Sequence, residues 1–281
     1  SGVLAAAGAA ILLRAGRAAG LAVAAGAAAG VLHGVYAPLV FLDGFLYRDG
    51  PVAHVSALLL ALPLLLDRSP RPREGFGLGF LAGAGALLKQ TILPLGLLSA
   101  ASLALRAGDR GSRRRSLAGF AGGLVLALSP LLVRNAVVGA PLLAFDTRPL
   151  VGIPWANARG ADGSVNTSPL LMEVLREARG STLRAAFLTL GTWRDDPLGL
   201  PALALRKLAS AGNGAEVPDN ASFTFFRDRL PWLARFPVFA CLLGPGVAGL
   251  LLAWRRGLLR KGEGLLVAGA GLIASAVRAI M

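Results

Sequence analysis

Arginine constrains this chain more than any other residue. Apolar stretches follow one another with short connections between them, and every second connection is crowded with arginine. The basic connections are residues 14–17, 68–73, 106–115 and 255–261, with Arg113-Arg114-Arg115 inside the third. The connections between them, residues 36–51 and the turn at Lys89-Gln90, carry almost no positive charge. Cytoplasmic loops of membrane proteins retain Lys and Arg, so the alternation fixes both the crossings and their direction. It predicts an all-α fold, a polytopic transmembrane helix bundle of about eight spans whose terminal members are truncated or marginal.

Composition fits that frame. The chain is 55% hydrophobic and only 16% charged, too apolar for an ordinary water-soluble domain of 281 residues. Its net charge of +14 would suggest nucleic acid in a soluble protein. Here much of it lies in the loops assigned to the cytoplasm, where it anchors topology and meets anionic lipid heads, so the lipid bilayer is the expected partner and nucleic acid is not. One cysteine, Cys241, excludes an intrachain disulfide and a Cys-based metal site.

The expected spans are residues 2–13 (running inward), 18–36, 51–66, 75–88, 91–106, 116–133, 232–254 and a last one from Gly264. Residues 2–13 are short for a span, and no initiator Met or signal peptide is present, so the chain reads as an internal piece of a longer protein. Gly75, Gly79 and Gly83 recur on successive turns, the spacing that lets helices pack closely in lipid. The organisation is then a bundle of about six spans over 1–135, an outer-side segment over 136–231, and further transmembrane helices over 232–281. Within the outer segment, residues 139–169 have the Pro, Gly, Asn and Asp content of an extended loop. Ser168-Pro169, Ser181 or Thr182, and Asp195-Asp196-Pro197 mark three helix starts, and their apolar-plus-basic composition suits helices at the membrane interface.

No phosphate-binding glycine loop, dinucleotide fingerprint, zinc-protease helix or Ser-His-Asp arrangement is present. His33 and His54 flank the first outer connection, where helix-interface hydrogen bonding outweighs a metal site; no metal or cofactor is expected. Lys89 stands at the tip of an apolar hairpin, where an ammonium either snorkels to the interface or meets a partner or an anionic ligand. Arg134-Asn135 closes a span on the outer side against the positive-inside tendency, so Arg134 is a candidate for bidentate phosphate binding. Asp43, Arg48 and Asp49 cluster in the apolar connection 36–51, as a functional group of charges or as a solvated turn with a local salt bridge.

Several stretches resemble one family. Residues 128–141, LSPLLVRNAVVGAP, are similar to the PW-x-x-RN-x-x-x-x-G helix end of bacterial GT-C membrane glycosyltransferases of the family 39 or dolichyl-phosphate-mannose mannosyltransferase-like group. Residues 157–163, NARGADG, resemble that group's Asn-Pro-Gly-rich loop. Residues 205–220, LRKLASAGNGAEVPDN, with Phe225-Phe226-Arg227 and Leu230-Pro231, resemble its RKL…E-x-PDN…FFR…P segment. Upstream, residues 36–51 resemble the family's loop that puts a carboxylate at Asp49, and residues 79–96 resemble its hairpin that puts a basic residue at Lys89. The chain departs from the pattern at Ser129-Pro130-Leu131, where the family has Pro-Trp, and lacks the aromatic residues expected near Asn213.

The resemblance implies a multi-pass protein of a bacterial inner membrane that moves a sugar from a polyprenyl-phosphate donor to an acceptor (lipid, glycan or protein) on the periplasmic face. It implies Lys89, Arg134, Asn135 and Arg48 as phosphate- or substrate-binding residues. The family's catalytic acid lies in the first periplasmic loop, which on this alignment precedes Ser1, so the piece alone is expected to transfer no sugar. Asp43 and Asp49 are secondary candidates for that carboxylate. A transporter or flippase of lipid-linked saccharides would need the same cations without the carboxylate, and a membrane scaffold would need neither.

Overall fold

Glycine decides how the apolar helices meet. The computed structural model describes residues 10, 11, 14, 23–44, 49–66, 70–145, 148–161, 168–212, 223–235 and 255. Among them the chain is all-α, with no strand. The expected spans 2–13 (apart from residues 10 and 11), 232–254 (apart from 232–235, where Leu233–Arg235 form a 3-10 turn) and from Gly264, together with Arg48, Phe45, Arg68 and Cys241, lie outside the described residues. The chain divides into two units, one of residues 1–134 and 214–270, the other of 135–213 and 271–281.

In the first unit, α1 is Val23–Val35, α2 Ala37–Gly44, α3 Asp49–Leu65, α4 Pro72–Leu88, α5 Leu93–Arg106 and α6 Arg110–Val137, with a 3-10 turn at Gln90–Ile92 and a short α11 at Phe223–Arg229. Leu59, Leu78, Ala82, Ile92, Leu103 and Phe120 form its main core. A Cβ on Gly75 or Gly79 would fall on the carbonyls of Ser116 and Phe120, and one on Gly119 or Gly123 on those of Pro72 and Phe76. Contact numbers therefore rise together along α4 and α6, so the two helices run parallel, backbone against backbone. Leu59 accepts a bond from Ser99 Oγ (2.6 Å) and Leu66 one from Arg106 Nη2 (3.0 Å), so α3 and α5 also run parallel to each other.

This arrangement sorts the charges. Arg71, Arg73, Arg106 and Arg110 to Arg115 gather at one end, tied by Ser116 Oγ and Ser112 Oγ donating to the Pro70 carbonyl (2.7 and 3.3 Å). Asp49, Lys89 and Arg134 fall at the other. Apolar side chains are also exposed on the outer faces, among them Leu97 (61%) and Val133 (62%). One described helix, α6, is long and apolar enough to cross a membrane; α3 and the Gln90–Arg106 stretch are apolar but shorter. At about 1.5 Å per residue a 17-residue helix reaches about 25 Å, short of a hydrocarbon core of about 30 Å.

Three expected loops are corrected by local chemistry. In 36–51 the run Pro38-Leu39-Val40-Phe41 folds as α2, because Phe41 packs on Phe223 and Leu233. The arginine run 113–115 lies in the first turns of α6, because the Asp109 carboxylate accepts from the Ser112 N–H (2.8 Å) and starts the helix. Residues 139–169 contain α7, Arg148–Asn157, instead of an uninterrupted extended loop.

The second unit holds α7, α8 (Leu171–Ala178), α9 (Thr182–Gly191) and α10 (Gly199–Gly212). Ser181 caps α9 by accepting from the Arg184 N–H, and Asp196 accepts from the Gly199 N–H at the start of α10 (3.0 Å). Ser168 stands ahead of α8 rather than capping it: its hydroxyl donates to the Arg159 carbonyl (2.8 Å) and accepts from the Leu170 N–H (3.2 Å).

Candidate functional site

Lys89 caps the C-terminus of α4 in an extended conformation, and its backbone N–H still closes the helix on the Gly85 carbonyl. Its side chain reaches Asp49, the first residue of α3, with Nζ 2.9 Å from Oδ1. Asp49 also sits where a helix N-terminus favours a carboxylate. The pair is largely sheltered, with 18% and 26% of the side chains exposed, so it is a charge-assisted contact of more consequence than a surface ion pair. The parallel register of α4 and α6, Gly79 beside Phe120 and Gly83 beside Ala127, carries Arg134 to the level of Lys89. Arg134 is exposed there on the last turns of α6.

A second group lies next to this one. Asp43 of α2 accepts from His54 of α3 (Oδ2 to Nε2, 3.0 Å), and the other nitrogen of His54 lies 3.1 Å from His33 Nε2 on α1. His54 is fully buried. Its Nε2 faces a carboxylate and so carries the proton; the bare Nδ1 accepts from the Nε2–H of His33. Gly50 makes the approach feasible, since a Cβ there would fall on Asp43 Oδ1. That oxygen is buried and has no hydrogen-bond partner among the described residues. Helix-interface hydrogen bonding, expected for the histidines, is present; the carboxylate that joins them was not foreseen. Among the described residues no group of three His, Cys, Asp or Glu is arranged to hold a metal.

The remaining sequence candidates have other surroundings. Asn135 belongs to the second unit, fully buried, and its amide nitrogen donates to the carbonyls of Pro141, Leu142 and Ala144 at 3.1, 2.9 and 3.0 Å. Those bonds close the turn after α6, which is a structural use of the residue expected to bind phosphate. Arg48 lies outside the described residues.

Sequence reasoning missed a knot in the second unit. Buried Lys207 of α10 donates to Asn157 Oδ1 (2.9 Å), and the Trp193 indole donates to the Asn157 carbonyl (2.7 Å). Burial pushes the Lys207 ammonium down to about 8. Nearby, α8 and α9 border an open cleft of about 800 Å³ lined by Arg159, Glu173, Glu177, Arg184, Phe187 and Asp195. The basic periodicity of α10 showed Arg206-Lys207 ending an amphipathic helix, but nothing local in the sequence tells which of the two turns inward.

Comparison of the chain with models of known protein families, with characterised proteins and with solved structures returns no match.

Proposed function

We propose that the chain is a polytopic membrane glycosyltransferase of the GT-C kind, transferring a sugar from a polyprenyl-phosphate donor at the non-cytoplasmic face. The observation that carries this reading is the sheltered Lys89–Asp49 pair at the end of the bundle where Arg134 also finishes, opposite the arginine-crowded end. If the crowded end is cytoplasmic, these cations face outward. The apolar outer surfaces of α4 to α6, with Phe80, Leu97 and Val125 exposed, suit lipid. Asp49 holds the ammonium in place, so a phosphate arriving at that end meets a cation already in position and loses little in ordering it. Cations so placed stabilise the phosphate as the sugar leaves.

The test is transfer itself. The whole protein that carries this sequence, in lipid nanodiscs, is given a polyprenyl-phosphate sugar and glycerol, and release of polyprenyl phosphate is followed. Release above that of empty nanodiscs supports the transferase. In liposomes, movement of an intact lipid-linked sugar between leaflets without release would replace it with a transporter.

A further inference from the structure

We propose that α9 lies on the surface of the bilayer, with Leu183, Phe187 and Leu190 as its lipid-facing row. Composition suits the helices of residues 136–231 to an interface; the structure singles out one face of one helix. Leu183, Phe187 and Leu190 are 69%, 66% and 55% exposed. At 3.6 residues per turn they fall within about 60° of one another, in a single row along α9. The other side of the helix is occupied. Ala185 and Thr189 are buried there, and Ala185 and Leu188 pack with Val174 and Ala178 of α8. Three large apolar side chains left in one row form a patch that needs a cover.

Two observations name lipid as that cover. The first is continuity of the chain. α6, long and apolar enough to cross a membrane, ends at Val137, and the next helix, α7, starts at Arg148 and packs against α9. Even at full extension that link reaches no more than about 40 Å. Asn135 shortens it by folding residues 141–144 back onto its own side chain. The second is charge. α9 contains no acidic residue, and Arg179, Arg184 and Arg194, all exposed, stand before, within and beyond it. The carboxylates that follow are engaged: Asp195 pairs with Arg159 (3.5 Å) and Asp196 accepts from the Gly199 N–H (3.0 Å). An apolar row flanked by arginines that reach for headgroup phosphates suits a helix lying in the interface. The acidic wall of the neighbouring cleft, Glu173 and Glu177, belongs to α8, so α9 lies against lipid while α8 stays toward water. The placement needs a membrane-embedded chain and nothing of the transferase reading; a transporter would hold α9 in the same way.

Spin labelling tests it. In the whole protein that carries this sequence, freed of other cysteines and held in lipid nanodiscs, a nitroxide is attached in turn to Leu183→Cys, Phe187→Cys and Leu190→Cys. Arg176→Cys on α8 is the water-facing reference. All four positions are exposed, so the label displaces no packing. Collision with oxygen, which concentrates in lipid, is compared with collision with a water-soluble nickel chelate. The ratio of the two is expected to be several-fold higher along the row than at the reference. Access of the chelate to the row equal to that at the reference overturns the proposal by putting α9 in water. Exclusion of both reagents from the row overturns it in favour of a protein cover, either the first unit or a second copy. Sugar transfer, present or absent, alters none of these outcomes.

Discussion

Lys207 gives the second unit a dependence on pH that can be isolated. Burial holds its ammonium at about 8, against 10.5 for a free lysine. The unfolded segment keeps its proton up to the higher value and the folded one releases it at the lower, so between the two the unfolded state binds more protons. Stability therefore rises with pH through that window, and the cost of the buried charge is present in full below it. The 2.5-unit interval from 8 to 10.5, at 1.36 kcal/mol per unit, makes the penalty at neutral pH about 3 kcal/mol and the gain between pH 7 and 10 roughly 2–3 kcal/mol. Residues 135–213 contain no His, Cys or Tyr and a single lysine, so no other side chain of that stretch titrates there. Trp193, whose indole bonds to the same Asn157, is the reporter. With Trp155, Trp232 and Trp254 replaced by Phe, its fluorescence in urea should show a midpoint that climbs from pH 7 to 10. Lys207→Met should abolish the climb. A flat wild-type profile, or an equal climb in Lys207→Met, would refute the assignment of the buried amine.

Two further outcomes follow from packing and from charge. Gly79→Leu puts a side chain where the Phe120 carbonyl lies, so α4 and α6 must separate; the loss of more than about 1–3 kcal/mol should appear as raised hydrogen exchange in both helices, while Gly77→Leu, with open space around it, should be near neutral. In a Cys241→Ala background, a membrane-impermeant thiol reagent added to cells should modify Leu198→Cys and spare Arg114→Cys, both exposed positions; the reverse pattern would invert the topology.

The helices at the centre of the first unit were legible because their signals are local. Glycines at four-residue spacing run from Gly75 to Gly83, and the apolar run ends at Lys89, so the α4–α5 hairpin reads directly from the chain. The arginine run 113–115 has the charge of a loop, and its helix shows only through Asp109, which stands where a helix start needs it. Likewise α2 was hidden: its apolar residues pack on Phe223 and Leu233, some 180 residues on, which no window of sequence shows. The string of His33, Asp43 and His54 was illegible for the same reason. Its members lie on three helices, 11 and 21 residues apart, and no helical period relates them. From the sequence Lys89 is either a snorkelling or a partnered cation; only the fold names Asp49 as a partner.

The central claim, that cations at the outer end of the bundle hold a lipid-linked phosphate, is tested most directly by binding. Native mass spectrometry of the chain in nanodiscs would compare a polyprenyl-phosphate sugar with the polyprenol lacking phosphate. Losing one charge-assisted contact costs roughly 1.5–3 kcal/mol, so Lys89→Met and Arg134→Met should each weaken the phosphate-bearing lipid about tenfold or more and leave the polyprenol unchanged. Equal binding of the two lipids, unaffected by either substitution, would contradict the account.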